Sequence, residues 1–101
     1  MPEKLNKTQE GTLKNFYEKL KGEMNDDQFS VVQDELGSRD QGTLVSLVES
    51  VNFSAPEGRE KPVKELFNTA LSGALTRAGL DKQQTVNVLN RIAGVEVVHL
   101  G

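Results

Sequence analysis

Residues Val63–Gly94, VKELFNTALSGALTRAGLDKQQTVNVLNRIAG, decide the fold class. Val63, Leu66, Phe67, Ala70, Leu71, Ala74, Leu75 and Ala78 recur at steps of three and four, which lines them along one side of a helix. Pro62 suits the first turn of that helix, where its missing N–H has no partner to lose. The pattern gives a helix over about 62–78, expected to be the central one of the fold. Gly79 stands where a left-handed residue ends such a helix, with Leu80 folding back over the last turn. Asp81 followed three residues later by Gln84 is a capping box. It opens a further helix over about 82–93, with Val86, Leu89, Ile92 and Ala93 inward and Gly94 as the stop.

Upstream the same grammar repeats. Leu13, Phe16, Tyr17, Leu20 and Met24 share one face of a helix over about 8–23. Asn25-Asp26-Asp27-Gln28 caps a helix over about 26–36 that presents Phe29, Val32 and Leu36 before Gly37. Ser38-Arg39-Asp40-Gln41 caps a third, over about 39–50, with Leu44, Leu47, Val48 and Val51 on its stripe. NFSAPEGRE, with Pro56 and Gly58, breaks the periodicity and is the long loop, 52–61. The β-branched residues Val45, Val48, Val51, Val86 and Val88 favour strands in isolation. Neither segment sustains the alternation a strand requires, and both begin with helix caps. Val45 and Val88 fall beside the main stripes, where they either widen the core or face a partner. The expected fold is all-α: one compact single-domain bundle, residues 1–101, of four to five short helices. It ends in a short apolar C-terminal tail, 95–101, that packs as an irregular arm, adds a helical turn or pairs with another chain.

A chain of 101 residues, 36% hydrophobic and 27% charged with a mean hydropathy of −0.48, has the composition of an ordinary globular domain. It contains no apolar run near the roughly 20 residues that cross a bilayer, and MPEKLNKTQEG lacks the apolar centre of a secretory signal. No membrane contact and a cytoplasmic location are therefore expected. The net charge of −3 is uneven. Up to Glu57 six basic residues face eleven acidic ones; from Gly58 onward six face four. Only the second half could attract a polyanion.

The chemistry of catalysis is sparse. Cysteine is absent, which removes thiolate nucleophiles and Cys-based metal sites. The one histidine, His99, stands near the C-terminus without a paired motif. The carboxylates Asp26-Asp27 and Asp34-Glu35 lack the spacing of a calcium loop, and no glycine string of the phosphate-cradling kind occurs. The expectation is a non-enzymatic protein with no cofactor and no metal.

The last helix supports two binding readings. AGLDKQQTVNVLN, residues 78–90, resembles the AGVSRQTVSRVLN type of recognition segment found in bacterial repressors of the helix-turn-helix family. The resemblance implies DNA binding through the helices at 62–78 and 82–93, with Lys82, Gln83, Gln84, Asn87 and Arg91 at the bases and phosphates. It needs one inserted residue, Gln83-Gln84 standing where the repressors have a single position, and an insertion rotates every later residue of the helix by about 100°. With a pI near 5.1 and few cations nearby, nucleic acid is the disfavoured partner. The preferred reading is a protein–protein interaction module of adaptor, inhibitor or effector type. Its expected partner-binding residues are Gln83, Gln84, Asn87, Asn90, Arg91, Val97 and Val98, with a homodimer through the tail as one form of partnership.

Overall fold

The computed structural model describes residues 5–99, and they form an all-α bundle. Helices α1 (Lys7–Lys21), α2 (Asp26–Gly37) and α3 (Gln41–Asn52) are followed by a single 3₁₀ turn at Pro56–Gly58. Next comes one long helical stretch made of α4 (Glu60–Leu66), a π turn (Phe67–Leu71) and α5 (Ser72–Arg77). Helix α6 (Lys82–Ala93) is the last element among the described residues, and the tail is irregular as far as His99.

The caps explain where the helices begin. Asn6, Asn25 and Asp81 each accept from the backbone N–H three residues on, while Gln9, Gln28 and Gln84 reach back to the cap's own N–H. Three reciprocal capping boxes in one small domain leave few orphan donors at helix starts. The Asn6–Gln9 box moves the start of α1 one residue ahead of the expected one. At α3 the cap is Asp40, which accepts from both the backbone and the hydroxyl of Thr43. Ser38 and Gln41 do other work: Ser38 ends α2, and the Gln41 amide donates to the carbonyls of Leu36 and Arg39. Gly37 is still helical, so the end of α2 comes from these side chains rather than from a left-handed glycine. Gly79 and Gly94 do take positive φ, +79° and +73°. Leu80 N–H bonds to the Leu75 carbonyl and Gly79 N–H to that of Thr76, the paired bonds of a Schellman end.

Helix α1 and the α4–α5 stretch each touch α2, α3 and α6. The central position expected of the fourth helix is thus shared with α1. Phe16, Leu20, Leu36, Leu44, Leu66, Leu71 and Leu75 fill the space between them and are almost wholly buried. Val45 and Val88 are buried as well, at 1% and 0% exposure, so they widen the core. Ala70 and Ala74 are buried small residues on the stretch that packs against α2, while Gly73 and Arg77 of the same stretch are exposed. Tyr17 bridges α1 to α2, its ring 5.7 Å from Phe16 and 6.3 Å edge-on to Phe29. Burial pushes its phenol pKa upward.

The π turn corrects the expectation of one regular helix over 62–78. Val63, Phe67, Leu71 and Leu75 repeat every four residues, longer than the 3.6 of an α-helix, so their stripe drifts by about 40° per turn. One wider turn takes up the lag, its extra residue marked by Ser72 N–H bonding to the Phe67 carbonyl. Leu66, Ala70, Leu71, Ala74 and Leu75 consequently all stay buried. Among the described residues no helix is long and apolar enough to cross a membrane.

Candidate protein-docking face

Helix α6 is amphipathic: Val88, Leu89, Ile92 and Ala93 anchor it in the core. Its C-terminal carbonyls, the negative end of the helix dipole, are met by cations from elsewhere in the chain. Arg59 donates to the Ala93 carbonyl and, at 3.0 Å, to that of Ser54; Lys19 approaches the Ile92 carbonyl at 3.5 Å. Arg91 pairs with Glu23 at 3.1 Å, tying α6 to the turn after α1. These contacts fix which face of α6 is left outward.

That outward face carries two depressions that meet along the line of Val86 and Val98. On one side an apolar groove of about 390 Å³ runs between α6 and the α4–π stretch, lined by Phe67, Leu80, Thr85, Val86, Leu89 and Val98. Lys64, Lys82 and Asp81 stand at its rim. Lys64 bonds to Glu60 at 2.8 Å and holds that carboxyl below its ordinary range, first by the hydrogen bond and then by its charge. On the other side a more polar cleft of about 520 Å³ is lined by Gln83, Asn87, Asn90, Glu96 and His99.

The structure therefore divides the residues singled out from the sequence. Gln83, Asn87, Asn90 and Val98 converge on the polar cleft, and Lys82 stands on the groove's edge. Gln83 and Asn87 bond to each other at 2.9 Å and are exposed. Gln84 closes the capping box and donates to Gln28 of α2, on a different side of the helix. Arg91 turns to Glu23, away from the cleft. Val97 is 8% exposed and belongs to the core. Asn90 is committed to the tail: its Oδ1 accepts from the N–H groups of Val97 and Val98, and its Nδ2 donates to the Val98 carbonyl, each at 2.8 Å. The tail is thus an irregular arm folded onto its own helix; its last two residues, Leu100 and Gly101, lie outside the described residues.

Phe67, Leu80, Leu89 and Lys64 are not legible in the sequence as site residues. Their spacing assigns the first three to a core stripe, and only the packing shows that Phe67 and Leu80 stop half-buried at a groove. Phe53, at the end of α3, is 83% exposed and gives no signal beyond being apolar in a loop. A second cleft, of about 530 Å³, lies between the α2–α3 corner and the π turn. Its charged groups are occupied: Asp40 by Thr43, which lowers its pKa, Glu35 by Arg77 at 2.7 Å, and Arg39 by the Thr69 carbonyl at 3.5 Å. No protein-family profile, curated protein or solved structure matches this chain.

Proposed function

We propose that this chain is a non-enzymatic recognition module that binds a segment of another protein on the outer face of α6. The observation that carries the reading is the apolar groove between α6 and the α4–π stretch, rimmed by Lys64 and Lys82. Val31 and Phe53 apart, the fold buries its large apolar side chains well, and at this groove half-buried Phe67, Leu80 and Val98 converge on one concave surface that a single partner segment can cover. The rim holds Asp81 beside Lys64 and Lys82, and Lys82 forms no ion pair among the described residues, so the expected partner segment carries apolar side chains with an acid placed to meet Lys82.

DNA recognition has less support. Of the residues it needs, Gln84 and Arg91 are bonded within the fold. Of the six cations from Arg59 onward, Arg59, Lys64, Arg77 and Arg91 are also so engaged. That leaves Lys61 and Lys82 as the cations of that half with no such bond among the described residues, a small charge for a polyanion.

The test is selection of peptides from a displayed random library on the wild-type chain, followed by binding to Lys82→Glu and Lys64→Glu variants. Acidic, apolar peptides that lose ten-fold or more in affinity on either charge reversal support the reading. Absence of enrichment, or binders indifferent to both reversals, overturns it.

A further inference from the structure

The bonds of Asn90 have the form of peptide recognition. All three go to main-chain groups, and two of them close on one residue, the N–H and the carbonyl of Val98. A carboxamide that pairs in this way with two successive N–H groups and a carbonyl of one segment reads backbone and tolerates varied side chains, while the pockets beside it sort those side chains. Here Val97 is turned inward and buried, and Val98 stands on the ridge shared by the apolar groove and the polar cleft.

We infer that the Asn90 face of α6 is a receptor for an apolar protein segment, and that Val95–His99 is its resident occupant, displaced when a partner segment of like chemistry binds. The inference rests on reading the outer face of α6 as the docking face, and it names what docks there and what must leave.

Three further features support it. The tail starts at Gly94, whose left-handed backbone ends α6 and lets the chain turn back toward Asn90. Among the described residues the tail forms no hydrogen bond to the helices except through Asn90, so one side chain supplies its polar anchoring and buried Val97 the apolar part. Both depressions continue past the tail, toward Phe67 and Leu80 on one side and toward Gln83 and Asn87 on the other. A tethered segment competes at an effective concentration in the millimolar range. A partner must therefore offer more than the tail does, and the unfilled apolar groove is where it gains the difference. The fitting segment carries β-branched apolar residues in the places of Val97 and Val98 and a larger apolar side chain for the groove.

The experiment uses the full chain carrying Val97→Asp and Val98→Asp, so that its own tail cannot reseat while Asn90 is intact. The probe is a fluorescent peptide of residues 94–101, GVEVVHLG, followed by anisotropy, with folding checked by circular dichroism. The peptide is expected to bind this variant, to bind the wild-type chain at least ten-fold more weakly, and to lose binding when Asn90→Leu is added. If the double substitution unfolds the chain, Val98→Asp alone, at a half-buried position, takes its place with the same expectation. A folded tail variant that does not bind the peptide, or that binds it regardless of Asn90, overturns the inference. Library peptides that bind the wild-type chain, respond to Lys82→Glu and ignore Asn90→Leu overturn it too, while leaving the docking face in place.

Discussion

Replacing Asn90 by leucine removes the three hydrogen bonds that hold the tail while keeping the branched shape of the side chain. Each bond is worth about 0.5–1.5 kcal/mol net, so the three together amount to about 1.5–4.5 kcal/mol. The freedom that a released tail regains sets the expected destabilisation toward the lower end, about 2 kcal/mol. For a domain of this size 1 kcal/mol moves Tm by about 4–8 °C, so the melting point should fall by roughly 10 °C. Urea and thermal unfolding measure the loss, and hydrogen exchange locates it: the amides of Val97 and Val98 should change from slow to nearly unprotected while those of α6 stay slow. Asn87→Ala is the control, since among the described residues the Asn87 side chain bonds only to exposed Gln83, and the change should cost under about 0.5 kcal/mol. A loss below about 0.5 kcal/mol for Asn90→Leu, with both tail amides still slow, would refute the claim that one side chain holds the tail.

Gly94→Ala forces a side chain into left-handed backbone, with its Cβ 3.4 Å from an Arg59 nitrogen; a loss of about 1–2 kcal/mol is expected in urea unfolding. Leu36→Ala, at a wholly buried position, should cost about 2–5 kcal/mol, whereas Phe53→Ser should stay within about 0.5 kcal/mol because 83% of that residue is already in water. Deleting exposed Asn68 from the π turn should give a continuous α-helix with its buried stripe intact and a folded protein by circular dichroism. Deleting exposed Ser46 from α3 rotates Leu47, Val48 and Val51 by about 100° away from the core and should abolish cooperative unfolding. For pH, the lowered pKa values of Asp40 and Glu60 mean that their stabilising contributions are present above the unfolded carboxylate range and vanish as pH falls through the folded values. Tyr17 runs the other way: its raised value contributes stability below pH 10 that is lost at higher pH. As the only tyrosine, it can be titrated directly by ultraviolet absorbance, with a midpoint above 10 expected.

Much of the fold can be read from the chain because its start and stop signals are local. Asp81 with Gln84, Asn25 with Gln28, and Gly79 with Leu80 act within a few residues of themselves, and each does in space what its spacing implies. Asn6 with Gln9 carries the same signal, and it sets the start of α1 more sharply than the apolar stripe does. The π turn is less accessible. A stripe with a four-residue repeat can be met by a coiled or a widened helix, and the choice depends on what α2 and α3 require across the core. The site is legible only in part, for a similar reason. A polar side chain on the outside of a helix looks the same in sequence whether it is free, as Gln83 largely is, or taken by a partner far along the chain. Gln84 is taken by Gln28, 56 residues away, and Arg91 by Glu23, 68 residues away. Asn90 presents the same difficulty. Its place on the polar side of the helix makes it a candidate contact for a partner, and the contact it makes is with the chain's own tail.

The most direct test of the docking face is an amide chemical-shift map of the full-length wild-type chain, recorded while the tightest peptide from the library selection is titrated in. Shifts concentrated at Phe67, Leu80, Lys82, Thr85, Val86 and Asn90, with Val97 and Val98 moving toward the positions of an unstructured segment, are the expected result. Shifts centred on Ser38, Arg39 and Thr43 at the α2–α3 corner, or around Phe53, with the α6 face unmoved, would contradict it.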